Sequence, residues 1–473
     1  MLRFALLSAC FFLAVGLTAQ YAPQGVHTTD EETRALAATI TVADLRHHLE
    51  ILSADDMEGR ETGEPGQKKA AAYLRGEMER LGLPTIGEDG GYFQTILFSR
   101  QKWQEIDLKL DGQSLRHLWE YASAPSQNTA RGTTPIAELI YLGYGIDDPA
   151  HNDYANAGNL EGKHLLIFAG EPRDKMGNFR ISGTKSPSSW GTSDAEKLRL
   201  AKERGAATVF VIDPNFKKNV RNIRQETLDG RMRMAEIKEA DRQTANVVYL
   251  TPQLSKKIMG KMAKKVVRAR KKIEKSGKLK PVAIPVNLEL TQEKTVRELI
   301  GENVLGFVEG TDPELKEEVL VVSAHYDHIG KRGDSVFNGA DDNGSGTSTV
   351  LEVAEAFVKA KEMGQGARRS VLFLLVSGEE KGLLGSAYYA DHPIFPLENT
   401  IANINIDMVG RVDDKHANDP YYIYVIGSNR LSTELHEIGE RMNEEYTQLE
   451  LDYTYNAEDD PNRYYYRSDH YNF

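Results

Sequence analysis

The sequence has a single cysteine, Cys10, and only three tryptophans in 473 residues. Cys10 sits inside an apolar N-terminal run, so removal of that run as a leader leaves no thiol. Disulfides and thiolate metal sites are then excluded, and any metal must be held by His, Asp and Glu. Positive charge is also short: the formal net charge is -12. That balance argues against nucleic acid as the main partner, since binding phosphates needs a positive field. No zinc-finger spacing and no RNP-like motif is present. Long apolar runs are missing too. Phe4 to Leu17 is short for a span of about 20 residues, and nothing later is longer.

The N-terminal run reads as a targeting segment. Arg3 supplies its positive end, and Leu17-Thr18-Ala19 resembles a cleavage site before Gln20, giving a leader over 1–19. Leu7-Ser8-Ala9-Cys10 looks like a lipobox, but few apolar residues precede Cys10 and the run continues past it. Ordinary cleavage is favoured over lipid anchoring at Cys10. The expected product is an exported chain, periplasmic or extracellular, without a transmembrane span.

What the sequence does have is ordinary soluble composition, 40% hydrophobic and 27% charged, in a length suited to about two or three domains. Thr41 to Ser53 and Gly66 to Leu81 read as helices, flanking the charged loop Asp55 to Gly63. Tyr92 to Phe98 and Ile106 to Leu110 read as two strands. Beyond Pro135 come short strands at 137–144, 164–169, 207–212 and 245–250, which could form a small separate domain. Gly177 to Trp190 and Asn215 to Asp241 read as polar excursions. Ser255 to Lys280 is a basic helix with a narrow apolar stripe, read as a solvated helix beside an acidic body in preference to a membrane or anion site.

The most informative stretch is Val319 to Gly346. A continuous apolar, β-branched run ends in His325-Tyr-Asp327-His328, and a Gly-rich turn then presents Asp341 and Asp342 before a helix. Such a run suggests a strand buried on both faces. Residues two apart in an extended chain share a side, which lets His325 and Asp327 act together. Two more buried runs follow. Ser370 to Val376 ends in Glu379-Glu380, and Ile401 to Ile406 ends in Asp407. Tyr422 to Ile426 reads as a fourth run. Strands alternating with helices indicate an α/β fold with a mostly parallel central sheet. In such sheets sites form at the carboxyl ends of strands. Imidazole with carboxylates suits Zn, Mn or Co, and a bridging carboxylate suits two ions about 3.5–4 Å apart. Of Glu379 and Glu380, one can ligate while the other acts as base.

The motifs Ser323-Ala-His-Tyr-Asp-His-Ile-Gly330, Asn338-Gly-Ala-Asp-Asp-Asn-Gly-Ser-Gly346, Ser377-Gly-Glu-Glu-Lys-Gly-Leu-Leu-Gly-Ser386, Asn405-Ile-Asp-Met-Val-Gly-Arg411 and Arg467-Ser-Asp-His470 together resemble the M28 metallopeptidases. That family includes aminopeptidases and glutamate-carboxypeptidase-like enzymes. The resemblance covers Asp44 to Gly82 and Gly301 to Phe473. It implies a three-layer sandwich with the peptidase domain in two parts, 30–130 and 286–473. The segment 135–285, with the basic helix, resembles an inserted β-rich protease-associated (PA) domain.

The resemblance also implies roles. His325 and Asp407 would ligate one Zn2+, Glu380 the second, and Asp342 would bridge them. Glu379 would be the general base, and Asp327 would orient His325 by accepting its ring N–H. Asp341 is one residue out of register for the bridge and is read as a loop residue. The family's second metal normally has a further histidine, past the Ser-Asp-His segment. This chain stops at Phe473, so two Zn2+ are expected with the second site short of its usual histidine, and weaker second-metal binding with reduced activity follows. His328, His392, His416 and His436 are read as surface or loop histidines. The expected function is a co-catalytic di-zinc exopeptidase, an aminopeptidase acting on peptide substrates. The alternatives are a glutaminyl-cyclase-like acyltransferase and an impaired, non-catalytic binding protein.

Overall fold

The computed structural model describes residues 30–235 and 242–473. The leader, its cleavage position and Cys10 lie outside the described residues. The main strands are β1 (Phe93–Leu110), β2 (Gly132–Tyr141), β3 (His164–Phe168), β4 (Thr208–Ile212), β5 (Asn246–Leu250), β6 (Val282–Val308), β7 (Val319–His325), β8 (Ser370–Val376) and β9 (Thr400–Asn405). They form one sheet in the order β9-β7-β8-β6-β2-β3-β4-β5, with β1 paired to β6. β7 is parallel to both β8 and β9. The run β2-β3-β4-β5 is parallel as well. β6 is antiparallel to all its partners. The sheet is therefore mixed and mostly parallel.

β6 explains why one sheet has two cores. Its first half carries Val282, Ile284, Leu288 and Leu290 into a core shared with β2 to β5. Its far end carries Val304 and Val308 into a second core with β7 and β8. β1 follows it in register from Leu110 opposite Leu288 to Phe93 opposite Val304, with one irregularity between Trp103 and Glu105. The two strands expected at 92–98 and 106–110 are thus one, because the polar stretch between them is paired along β6. The 285/286 boundary falls inside β6. Two further expectations change. Tyr422–Tyr424 pairs only with Glu450–Asp452, in a separate two-stranded sheet. Phe216–Asp229, within an expected polar excursion, is a helix.

The helices that matter for the site are α1 (Val42–Leu52), α2 (Pro65–Arg80), α3 (Ala263–Ser276), α4 (Gly346–Glu362) and α5 (Leu384–Asp391). Thr41 caps α1 by accepting from the Asp44 N–H. The basic helix α3 buries Val266 and Ile273 in the first core and leaves Lys264, Lys265, Lys271 and Lys272 exposed. Its stripe is packing surface. Helix α4 starts directly after the Gly-rich turn and covers β7 and β8 through Val350, Leu351 and Ala354.

Between α1 and α2 the chain makes a tight loop, Asp55–Arg60, with Glu58, Gly59 and Arg60 all at positive φ. Gly59 is required there, since a Cβ would stand 2.4 Å from the Phe337 carbonyl oxygen and 2.5 Å from that of Gly330. The loop presses onto the 326–339 segment and inserts the fully buried Arg60. Its guanidinium donates to the carbonyls of Tyr326 (2.7 Å), Asn338 (2.7 Å) and Gly339 (2.8 Å), and to that of Leu52. Burial draws its pKa down to about 10, against the pull of Asp327, Asp342 and Glu380, so it stays charged at neutral pH.

Two predictions follow from this packing. Arg60→Met leaves four buried carbonyls without their donor, and at roughly 1 kcal/mol or more for each the expected cost is about 3 kcal/mol or greater. A urea denaturation midpoint equal to wild type contradicts the role given to Arg60. The second concerns Glu352 on α4, buried against His48 of α1 with Oε1 at 3.1 Å from Nε2. Burial, with Asp44 and Glu355, pushes Glu352 up to about 7, despite Lys359 and Arg80. The folded chain keeps a proton that the unfolded chain sheds near 4.5. Its contribution is complete below that pH and is lost as pH rises through 7. Glu352→Gln should therefore gain about 2 kcal/mol relative to wild type between pH 4.5 and 7.5. Parallel stability–pH curves for the two proteins rule this out.

Candidate metal centre

The site is built by strand direction. β8, β7 and β9 are adjacent and parallel, with His325 opposite Val376 and Ser323 opposite Asn405. Their carboxyl ends therefore reach the same edge. Each strand is followed by a tight change of direction. Gly378 turns at φ 85° before Glu379–Lys381, Met408 turns at φ 55° after Asp407, and Gly339 turns at φ 60° before Asp341 and Asp342. These turns point successive carboxylates inward at the edge instead of continuing the strands.

The buried His325 imidazole is the centre of the arrangement. Its Nε2 lies 3.4 Å from Asp342 Oδ1, 3.5 Å from Asp407 Oδ1 and 3.9 Å from Glu379 Oε2. The second oxygen of Asp342 faces His328, with Oδ2 at 4.0 Å from Nδ1. Glu380 Oε1 is 2.8 Å from the same nitrogen. All six residues named from the sequence (His325, Asp327, Asp342, Glu379, Glu380 and Asp407) thus meet at one edge, and Asp342 stands between two groups. One group is His325, Asp342 and Asp407; the other is His328, Asp342 and Glu380. In each, the ligand atoms lie within 4.8 Å of one another.

These residues fit divalent cations. Asp407 Oδ1, Glu380 Oε1 and His328 Nδ1 are buried and make no hydrogen bond, although buried polar atoms nearly always do. Atoms left free in this way, converging from three loops, form a donor set of imidazole and carboxylate that suits zinc, manganese or cobalt. The oxygens that do not face the cluster are hydrogen-bonded. Asp407 Oδ2 accepts from Ser468 Oγ at 2.7 Å. Asp327 accepts from Thr62 Oγ1 at 2.8 Å and from the Glu379 N–H at 3.2 Å.

Asp327 differs in detail from its expected role. His325 Nδ1 lies 3.1 Å from the backbone carbonyl of Asp327 and 3.7 Å from its carboxylate. The carbonyl is at hydrogen-bond distance and the carboxylate is beyond it. The side chain instead ties Thr62 to the Glu379 backbone. Asp341 is turned away: it accepts from the Gly410 N–H at 2.9 Å and faces Arg411 at 3.5 Å. That leaves Asp342 as the carboxylate directed at the cluster.

The electrostatics follow from crowded carboxylates in a buried place. Burial, together with Asp469, Asp327 and Asp407, pushes Glu379 up to about 9, against the pull of His325. Burial raises Asp327 as well. At His325 burial opposes the charged ring, but Asp342 and Asp407 outweigh it and raise the pKa. Burial also works against ionised Asp407, yet the nearby His325 ring and the hydrogen bond from Ser468 leave it lowered. A cation among these groups inverts this balance and favours the ionised carboxylates.

Sequence reasoning missed His328, Thr62 and Asp469. His328 is read from the sequence as a surface or loop histidine. The extended phase ends at His325, however, and the following turn swings His328 back to the site. His416, also read as surface, is buried against Tyr422. Asp469 is buried, accepts from Ser386 Oγ, and is pushed up to about 7 chiefly by burial. The order Arg467-Ser-Asp-His was noticed, but nothing local shows that Ser468 bonds Asp407.

Parts of the chain are similar to known proteins. Residues 303–473 match the family model for peptidase family M28. Aminopeptidase YwaD from Bacillus subtilis (strain 168) is 37% identical over 94 residues, which cover 20% of this chain and 18% of that protein. A probable leucine aminopeptidase of Arthroderma otae is 38% identical over 100 residues, covering 21% of this chain and 28% of that one. The matches thus span less than a third of these relatives' length. Among solved structures, an aminopeptidase from Aneurinibacillus sp. strain AM-1 superposes with a TM-score of 0.51 at 19% identity, covering 94% of this chain and 84% of that one. At that identity the likeness speaks for the fold. Residues 303–473, which carry both ligand groups and Glu379, are the part of the chain that matches peptidase family M28.

Proposed function

We propose that the protein is an exported metallo-exopeptidase, an aminopeptidase, that uses two divalent cations, zinc in the first instance, and Glu379 as general base. The observation that supports this best is the pair of ligand groups sharing Asp342 at the carboxyl edge of three parallel strands. His325, Asp342 and Asp407 would hold one cation, and Glu380 with Asp342 the other. Bound cations supply Lewis acidity, polarising a carbonyl oxygen and acidifying water.

The protein's own groups do the rest. Glu379 faces the cluster, with Oε2 at 3.9 Å from His325 Nε2 and its backbone N–H anchored on Asp327. From there its carboxylate takes the proton of the attacking water and delivers it to the leaving amine. Without a cation burial holds this carboxyl protonated; a bound cation would favour the ionised form that takes the proton. Asp327, held by Thr62, fixes where Glu379 starts. The excess of carboxylates favours a cationic group nearby, which suits the free α-amine of a peptide. The related proteins described as aminopeptidases support the same choice. Segment 135–285, whose residues dominate the first core, is proposed to be the PA-like unit. Export rests on the leader at 1–19. No helix among the described residues is long and apolar enough to cross a membrane.

Glu379→Gln should lower kcat on aminoacyl substrates by about 10²- to 10⁴-fold, with metal content unchanged. A loss confined to KM sinks the assignment of the base. Removing metal with a chelator should abolish hydrolysis, and zinc should restore it; chelator-resistant hydrolysis overturns the metal mechanism. Equal cleavage of free and N-acetylated peptides overturns the aminopeptidase reading.

A further inference from the structure

His328 is the residue at this edge that the functional reading leaves unused, and its surroundings are unusual for a loop histidine. Its side chain is 12% exposed. Nδ1 is buried and makes no hydrogen bond, although Glu380 Oε1 stands only 2.8 Å away. Glu380 Oε1 is itself buried and without a hydrogen bond. The two atoms are close yet make no hydrogen bond with each other. Asp342 Oδ2 approaches the same nitrogen to 4.0 Å, and its other oxygen belongs to the His325 group.

The main chain at His328 is also held in place: its backbone N–H donates to the Arg60 carbonyl at 3.3 Å, and Glu61 pairs with His328 as an isolated bridge. The imidazole lies against Gly339: a Cβ there would come within 2.6 Å of His328 Cγ. A fixed ring with one free buried nitrogen, beside a carboxylate with a free buried oxygen, is a preformed pair of ligands.

We propose that His328 is an imidazole ligand of the second cation site, acting with Glu380 and Asp342. The inference rests on the two-cation reading above. It gives the turn 325–328 an imidazole for each ion, with Asp342 joining them. In place of a loop histidine that merely neighbours Glu380, His328 completes a site of nitrogen and oxygen donors suited to zinc.

The test is metal binding by the full chain, read without any activity assay. Stripped wild-type protein is titrated with zinc against a chromophoric chelator, and His328→Ala is treated the same way. Wild type should take two ions. The variant should keep the first with its affinity unchanged and bind the second at least about 100-fold more weakly. Two ions of unaltered affinity in the variant, or a single ion in wild type, overturn the role of His328. No tight zinc in wild type at all means that the two-cation reading has itself failed. If the variant does not fold, wild type alone decides. Modification of His328 by diethyl pyrocarbonate, located by peptide mass spectrometry, should be blocked by the second equivalent of zinc and not by the first. Labelling that the second equivalent leaves unchanged overturns the proposal.

Discussion

The arrangement at the strand edge depends on one buried cation that belongs to the protein itself, the guanidinium of Arg60. Four backbone carbonyls, from Leu52, Tyr326, Asn338 and Gly339, share its protons. These four come from the end of α1, from the residue after His325, and from the turn before Asp342. One side chain thus fixes the distance between the histidine and carboxylate halves of the site. A planar fork of five donors is what permits this, and a lysine could not reach all four. The charge also stands beside Asp327, Asp342 and Glu380, where it offsets part of their mutual repulsion.

Around that fixture the site follows from direction alone. Three parallel strands deliver a histidine and carboxylates to one edge, and each then turns sharply. The carboxylates repel one another and lose hydration, which shows in the high proton affinity of Glu379 and Asp327. Structure that tolerates such crowding has a use for it, and three ligand atoms without hydrogen bonds show where the compensating charge belongs. The second shell is drawn from distant sequence: Thr62 supports Asp327, and Ser468 supports Asp407.

Much of this was legible in the sequence because apolar periodicity is local. The runs ending at His325 and Val376 announced buried parallel strands, whereas Thr400–Asn405 is parallel to β7 but leaves Ile401 and Ile404 exposed; the residues at or just past each end meet at the candidate site. Of the two adjacent aspartates, Asp342 faces the cluster and Asp341 bonds the 410–411 turn. What escaped was non-local. The pairing of nearly the whole of β1 along β6 joins stretches that look like separate strands, because the polar residues between them are paired across the ribbon. Arg60 looked like one charge in a charged loop, and its burial depends on carbonyls more than two hundred residues away. His328, read as a surface or loop histidine, reaches the site because the chain turns after the strand ends at His325.

The ribbon of β1 and β6 has a mechanical consequence. Its hydrogen bonds run from one core into the other, past a single irregularity at Trp103 and Glu105. Twist accumulates along a two-stranded ribbon more freely than in a broad sheet. The strands of both cores are tied through the same pair, β6 being hydrogen-bonded to β2 toward one end and to β8 at the other. The same continuity means that the segment between β1 and β6 can be exchanged for another only by a graft that preserves both rails.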